Sequence, residues 1–208
     1  MNRPGKFTPS SGRAKGRTPS TDVEQAIVDA AEQLLTHEGP EALTVRGIAT
    51  AAGVAPMSVY NRLGGKQGVL DALLVRGFDG LNSTIRDVST GDPFEDLVEA
   101  GRRYRQFARD HPAQYSLMFQ RAVKDYEPSA MALGHAHATF KELELLVRHA
   151  MAAGVIAEGD PADIAQRLWA TCHGSVSLEL NGILFCEDIP QHQDETALTM
   201  LRGLRTPD

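Results

Sequence analysis

The sequence predicts an all-α protein in which a small N-terminal three-helix unit, residues 21–66, precedes a larger C-terminal helical domain, residues 67–208. Apolar residues recur every three or four positions in each long segment, and no segment shows the alternation of a β-strand. Capping residues, glycines and prolines separate these segments from one another. Residues 67–88 are expected to form a helix that connects the two domains.

The composition is that of a globular protein with its own core. The chain has 208 residues, of which 42% are apolar and 23% are charged. Because no apolar run approaches the ~20 residues of a membrane span and the N-terminus lacks the apolar region of a signal peptide, we expect no membrane association and a cytoplasmic location. The only two cysteines, Cys172 and Cys186, lack metal-ligand spacing and are expected to be reduced.

Charge is distributed unevenly along the chain. Residues 1–66 hold eight Lys/Arg and six Asp/Glu, a net charge of +2. The remainder of the chain holds 13 Lys/Arg and 21 Asp/Glu, a net charge of −8, and the two sum to −6. The first twenty residues contain five basic and no acidic side chains. This asymmetry favours one orientation on a polyanion. Residues 1–20 are expected to be disordered, as a solvated tail or as a minor-groove arm with Arg13, Lys15 and Arg17.

The first predicted helix begins at Thr21 with a capping box. The Thr21 hydroxyl can accept a hydrogen bond from the Glu24 amide, while the Glu24 carboxylate reaches back to Thr21. Gly39 ends the helix and Pro40 prevents its continuation. One apolar stripe is formed by Val23, Ile27, Ala30, Ala31 and Leu34.

Two short helices follow, joined by a turn at Gly53. Thr44 is the expected N-cap of the first helix, and Pro56 suits the first position of the second. One face of the first helix comprises Val45, Ile48, Ala49 and Ala52. In the second helix Val59 and Leu63 point inward, which leaves the opposite face exposed. This pattern is typical of a DNA-binding helix-turn-helix whose second helix enters the major groove.

The segment AGVAPMSVYNRLGGKQGVL resembles the recognition segment of the TetR family of transcriptional regulators. The family roles fall to Ala55, Ser58, Val59, Tyr60, Leu63 and Lys66. The chain departs from the family pattern at Leu63, where Phe is usual, and at Arg62, where His is frequent. Ala55 also stands where a capping Ser or Thr is common, and it forfeits about 1 kcal/mol of helix stabilisation.

The resemblance and the exposed face together predict a set of DNA contacts. We expect Tyr60 and Lys66 to contact phosphates, although a core aromatic and a solvated lysine are the simpler interpretations. Asn61 can pair with adenine and Met57 can touch a thymine methyl group. The full predicted DNA-binding set is Arg13, Arg17, Thr44, Arg46, Ala55, Met57, Ser58, Tyr60, Asn61 and Lys66. Thr44 already has a sufficient role as a cap.

The C-terminal domain is expected to contain only helices. Their predicted ranges are 66–86, 94–109, 114–121, 131–153, 161–186 and 194–204. Pro112 disfavours helix at the preceding residue, and Gly154 stops the fourth of these helices. Asp160 and Pro161 provide the N-cap and first position of the fifth. This fifth helix is apolar nearly all round, which predicts burial from several sides.

Trp169, His173 and Gly174 resemble a motif of one TetR subgroup, named for its Trp-His-Gly sequence. The resemblance implies a homodimer formed by the last two long helices of each subunit. The expected interface residues are Leu168, Cys172, Val176, Leu180, Ile183, Leu184, Leu198 and Leu201.

Aromatic and polar residues of the same domain are expected to form a pocket for a small-molecule inducer, although each could instead fill the core. The predicted pocket residues are Tyr104, Phe107, Tyr115, Met118, Phe119, Phe140, Trp169 and His173. No cluster of Lys or Arg accompanies them, which favours a neutral or weakly charged organic molecule. The spacing of His135, His137, His173 and Glu179 does not suit a metal site, and no cofactor is expected.

Taken together, these features predict a homodimeric repressor that binds double-stranded palindromic operator DNA and is released by a small organic molecule. An activator of the same fold and a helical adaptor that ignores DNA are the alternatives. An enzyme is not expected, because the chain has no phosphate-binding loop, dinucleotide fingerprint or nucleophile elbow.

Overall fold

The predicted all-α class is confirmed by a computed structural model, which describes residues 20–205. These residues form α-helices and one 3-10 helix, Pro40–Ala42, without a β-strand in this part of the chain. The α-helices are α1 (Ser20–Glu38), α2 (Val45–Ala51), α3 (Pro56–Leu63), α4 (Lys66–Arg86), α5 (Pro93–Asp110), α6 (Pro112–Phe119), α7 (Ala130–Ala152), α8 (Pro161–Leu180) and α9 (Ile189–Arg202). The predicted arm residues Arg13, Lys15 and Arg17, and the capping side chain of Thr21, lie outside the described residues.

Local capping determines where most of these helices begin. The Thr44 hydroxyl accepts a hydrogen bond from the Gly47 amide at 3.0 Å, whereas Ala55 has no side-chain cap. Asp160 caps α8 by accepting from the Ala162 amide at 3.0 Å. These caps are the ones predicted, because capping depends only on residues a few positions apart.

The C-terminal end differs from the prediction. Helix α8 ends at Leu180 and not at residue 186, and α9 begins at Ile189 and not at residue 194. Asn181 is the C-cap of α8, and Gly182 follows with a φ of 68°. Asp188 then caps α9 through a hydrogen bond from the Gln191 amide. The apolar run after Gly182 favours a longer helix, but the Asn-Gly pair stops the helix first.

The cores of the two predicted domains are continuous with each other. One buried cluster contains the inward residues of α1 to α4, such as Ile27, Ile48 and Val59, and it also contains Leu117 of α6 and Ala132 of α7. Two further clusters lie within the C-terminal helices. The N-terminal unit is therefore packed directly against α6 and α7.

Helix α4 joins these regions as one uninterrupted element. Its 21 residues correspond to a length of about 30 Å at 1.5 Å per residue. Arg76, near its middle, forms ion pairs with Asp29 and Glu32 of α1. Its apolar face is buried from Val69 to Ile85. None of the helices described here is long and apolar enough to cross a membrane.

Candidate DNA-binding surface and ligand cavity

Helix α3 divides into a buried and an exposed face. Val59 is 0% exposed, whereas its neighbour Tyr60 is 54% exposed and Met57 is 63% exposed. Asn61 is also exposed, and Met57, Tyr60 and Asn61 share one helix face because they stand at positions i, i+3 and i+4. The helix therefore presents a polar, aromatic and apolar surface to solvent, with the residue types that read base edges and contact phosphates.

The junction of α3 and α4 depends on close backbone approach. Gly64 and Gly65 have φ values of 72° and 95°, in the region that favours glycine. A Cβ atom on Gly65 would lie 2.9 Å from Cε1 of Tyr60, so the Tyr60 ring rests against this backbone. A Cβ atom on Gly68 would lie 1.5 Å from the carbonyl oxygen of Leu63. These contacts set the angle at which α4 leaves α3 and place the Tyr60 ring against the junction.

The remaining predicted DNA-binding residues surround α3. Thr44 and Arg46 are exposed at the start of α2, and Ala55 is exposed before α3. Ser58 is half-buried, which reduces the surface it offers. Lys66 is half-buried as the first residue of α4.

The C-terminal helices enclose a cavity of about 480 Å³, which we call the apolar cavity. Residues of six helices and one loop line it. They are Leu74, Phe78, Leu81 and Ile85 of α4; Leu97, Ala100, Gly101 and Tyr104 of α5; Met118 and Phe119 of α6; Pro128; Leu133, Ala136, His137, Thr139, Phe140 and Leu143 of α7; Gln166, Leu168, Trp169 and Cys172 of α8; and Ala197 and Leu201 of α9. Its volume lies within the usual range of about 300–1,000 Å³ for small-molecule sites.

Five of the eight predicted pocket residues line this cavity: Tyr104, Met118, Phe119, Phe140 and Trp169. The other three, Phe107, Tyr115 and His173, are not among its lining residues. Phe107 is buried and lies with its ring 5.1 Å from that of His111. The sequence did not predict that α4 lines the cavity. The periodicity of that helix predicted a buried face, but it does not show whether that face packs against other side chains or borders a cavity.

Tyr104, which lines the apolar cavity, forms a hydrogen-bonded group with Tyr115 and His173, which lie behind it. The His173 Nδ1 atom lies 2.9 Å from the Tyr104 hydroxyl and 2.8 Å from the Tyr115 hydroxyl, and the two hydroxyls are 3.2 Å apart. Burial lowers the pKa of His173 and raises the pKa of both tyrosines. We assign the histidine proton to Nε2, because Nδ1 can then accept from the Tyr115 hydroxyl while the Tyr104 hydroxyl donates to Tyr115, so that each hydroxyl proton has an acceptor. All three groups are then neutral, and they connect α5, α6 and α8.

Several residues predicted for a dimer interface are used within the subunit. Leu168 and Leu201 are buried and line the apolar cavity, as does Cys172, whose thiol pKa is raised to about 11 by burial. Val176 is 1% exposed and packs in the cluster that contains Tyr104 and Tyr115. These four side chains contact other residues of the same subunit, and their place in a dimer interface stays a prediction. Leu180, Leu184 and Leu198 are half-buried, and Ile183 is 50% exposed.

The histidines considered as metal ligands occupy separate environments. His135 Nδ1 lies 2.6 Å from Asp79, whereas His137 lines the apolar cavity and His173 contacts the tyrosines. Glu179 is paired with Arg105 at 2.7 Å. Within residues 20–205, no three His, Cys, Asp or Glu side chains come together in a way that could hold a metal ion.

Comparison with known proteins agrees with this architecture. A family model described as "Tetracyclin repressor-like, C-terminal domain" matches residues 97–204, and one described as "Bacterial regulatory proteins, tetR family" matches residues 27–73. The chain is 28% identical over 185 residues to the uncharacterized HTH-type transcriptional regulator Rv0681 of Mycobacterium tuberculosis, and the match covers 88% of this chain and 79% of that protein.

Two solved structures share the fold at lower identity. A protein of unknown function from Rhodococcus sp. RHA1 has a TM-score of 0.81 and 24% identity, and the match covers 94% of this chain and all of that one. The TetR family regulator PfmR from Thermus thermophilus has a TM-score of 0.64 and 20% identity, with coverage of 86% and 99%. With the helix-turn-helix and the two family models, these similarities lead to one conclusion. The chain belongs to the tetR family of bacterial transcriptional regulators.

Proposed function

We propose that the protein is a homodimeric repressor that binds a palindromic operator and is released from it by a small organic molecule. One observation carries this proposal: α4 begins at the end of the recognition helix and also forms one wall of the apolar cavity. Lys66 is the first residue of α4, and Phe78, Leu81 and Ile85 line the cavity further along the same helix. A molecule that displaces these side chains would therefore move the DNA-binding end as well.

Helix α6 offers a second connection between the two regions. Met118 and Phe119 line the apolar cavity, whereas Leu117 belongs to the core of the N-terminal unit. The Gln114 side chain donates a hydrogen bond to the Leu73 carbonyl oxygen of α4. A shift of α6 would therefore displace the side chains of α4 and α1 that pack against it. By linkage, operator DNA must weaken inducer binding by the factor with which the inducer weakens DNA binding, typically about 1–3 kcal/mol.

The dimer is inferred from apolar side chains that remain exposed near the end of α8. Leu178 is 42% exposed, Ile183 is 50% exposed and Phe185 is 94% exposed. Large exposed apolar side chains in one region are typical of an interface. A two-fold dimer through this region would present two recognition helices to two half-sites about 34–36 Å apart, or a multiple of that distance. We also assign the chain to the Trp-His-Gly subgroup, on Trp169, His173 and Gly174.

The first experiment is a nuclease footprint on the DNA that flanks the gene in its own genome, with the mass of the complex measured by light scattering. We expect protection of a palindromic or near-palindromic site by a dimer. A protein that remains monomeric on its cognate DNA would refute the proposal. A transcription assay then gives the sign of regulation, and stimulation of the promoter by the ligand-free protein would show an activator.

Two variants separate phosphate contacts from base contacts. Lys66→Ala should weaken binding to all sequences and lower the slope of log affinity against log salt by about one. Asn61→Ala should instead change the preferred base at one operator position. Arg86→Ala, at the opposite end of α4, is the control and should leave DNA binding unchanged. If Lys66→Ala and Asn61→Ala lower affinity equally for all sequences, the assignment of their roles is wrong.

A further inference from the structure

A second, smaller cavity lies between α5, α8 and α9, and we call it the polar cavity. Its volume is about 240 Å³, below the range of about 300–1,000 Å³ that is usual for a complete small-molecule site. Polar side chains of all three helices line it, including Arg102, Arg105, Thr171, Ser175 and Gln193. By size and composition the polar cavity is suited to hold part of a ligand.

The two cavities share part of their walls. Gly101, Cys172 and Ala197 line both of them. All three residues are small, and a Cβ atom added to Gly101 would lie 3.4 Å from the Cys172 Sγ atom. The boundary between the cavities is therefore one layer of small side chains, and the glycine keeps that layer thin.

Ser175 supplies an independent sign that the polar cavity is a binding site. The residue is only 7% exposed, it lines this cavity, and its hydroxyl has no hydrogen-bond partner among the described residues. By contrast, the Thr171 hydroxyl one turn earlier donates to the Arg167 carbonyl oxygen at 2.9 Å. Buried hydroxyls almost always have a partner, so the Ser175 hydroxyl is available to one that enters the cavity.

The charges around the polar cavity are already paired. Arg102 contacts Asp194 at 3.1 Å and Glu95 at 2.7 Å, and Arg105 contacts Glu179 at 2.7 Å. An anionic group would have to displace these carboxylates or lie close to them. The arrangement favours an uncharged group that both donates and accepts hydrogen bonds, such as a hydroxyl or an amide.

We propose that the two cavities form one bipartite site for an amphipathic ligand. The apolar part of the ligand occupies the apolar cavity. The Cys172 side chain rotates out of the layer beside Gly101, and an uncharged polar head reaches the Ser175 hydroxyl through the gap that this rotation opens. This inference rests on the proposed ligand-responsive function and specifies the chemical class of the inducer.

The test uses three probes of equal chain length, 1-octanol, 1-fluorooctane and octanoate, on the full-length protein. Binding is followed by the fluorescence of Trp169, the only tryptophan of the chain, which lines the apolar cavity. We expect 1-octanol to bind about tenfold more tightly than 1-fluorooctane, because only the alcohol can donate to the head site and accept from it. Octanoate should bind more weakly than 1-octanol.

Two variants locate the head group. Ser175→Ala should abolish the preference for 1-octanol without changing the affinity for 1-fluorooctane, whereas Ser177→Ala on the same helix should leave both affinities unchanged. Gly101→Val should weaken the binding of 1-octanol more than that of naphthalene, because naphthalene is compact enough for the apolar cavity and does not have to cross the layer beside Gly101. Ser175→Ala should also keep or raise the melting temperature, since it removes a buried hydroxyl without a partner. That readout needs no ligand.

Four results would overturn the inference, and they differ in what they leave standing. Equal affinities of the wild-type protein for 1-octanol and 1-fluorooctane, or an unchanged preference in Ser175→Ala, would refute the bipartite site and leave the apolar cavity as the inducer site. Tighter binding of octanoate would refute the uncharged head. If no probe binds, naphthalene included, the proposed ligand-responsive function fails together with the bipartite site.

Discussion

Replacing His173 by leucine should destabilise the protein without abolishing its fold. The Tyr104 and Tyr115 hydroxyls lie 2.9 and 2.8 Å from His173 Nδ1, and 3.2 Å from each other. After the substitution one hydroxyl can donate to the other, and the second is left buried without an acceptor. Such a group costs about 1–3 kcal/mol. Because total stabilities are about 5–15 kcal/mol, His173→Leu should remain folded and bind its operator in the absence of inducer.

The measurement is chemical denaturation, supported by thermal melting. The expected loss corresponds to about 2–4 °C of melting temperature per kcal/mol for a chain of this size. His149→Leu, at an exposed position of α7, is the control and should lie within about 0.5 kcal/mol of the wild type. A His173→Leu protein with wild-type stability would refute the argument.

A double-mutant cycle checks the physical cause. Tyr104→Phe and Tyr115→Phe, made together in the wild-type background, should cost about 1–3 kcal/mol, because they leave His173 Nδ1 without a donor. In the His173→Leu background the same pair should cost little or nothing, since it removes the hydroxyl that lacks an acceptor together with its neighbour. Additive effects of the pair and of His173→Leu would show that the tyrosines and the histidine are not coupled in this way.

Three other perturbations test the pH dependence, the helix junction and the buried ion pair. Burial lowers the pKa of His173, so protonation favours the unfolded chain. The contribution of His173 to the unfolding free energy should be fully present above the ordinary pKa of about 6.5 and should decline as the pH falls below it. Denaturation between pH 5 and 7.5 should show this decline in the wild type, and His173→Leu should lack it. Gly68→Ala should lower the melting temperature and abolish operator binding, because its Cβ atom would lie 1.5 Å from the Leu63 carbonyl oxygen. The control is Gly134→Ala on α7, where a Cβ atom meets open space, and it should be neutral or stabilising by up to about 1 kcal/mol. Glu179→Gln should lower the unfolding free energy, measured by chemical denaturation, by about 2–4 kcal/mol, since it leaves the charge of Arg105 without its partner at 15% side-chain exposure. The control is Asp163→Asn, which breaks an ion pair with Arg167 that is more than half exposed and should cost less than about 1 kcal/mol.

The sequence alone determined the parts of the fold that depend on near neighbours. The start of α3, the bounds of α4 and the caps at Thr44 and Asp160 follow from residues within one or two turns of each other, because capping and helix periodicity act over that distance. For the same reason the division of α3 into an inward Val59 and an outward Tyr60 was predictable. The exception is the end of α8. The apolar residues after Gly182 favoured a helix that continues to residue 186, whereas the helix ends at Leu180, before the stop signal of Asn181 and Gly182.

Which buried residues line a cavity and which fill the core depends on the packing of the whole chain. Periodicity identified the inward faces of α4 and α8, but a cavity forms only where facing side chains fail to interlock, and that depends on helices far apart in the chain. The chemistry of His173 predicted a place in the pocket, whereas its position against two tyrosines places it behind the wall. Likewise, the apolarity of α8 predicted burial from several sides and the family resemblance implied a dimer interface there, but Leu168 and Val176 are already buried by the subunit's own helices. Burial is a property of the whole packed chain, and a local pattern cannot distinguish a partner helix of the same subunit from one of another.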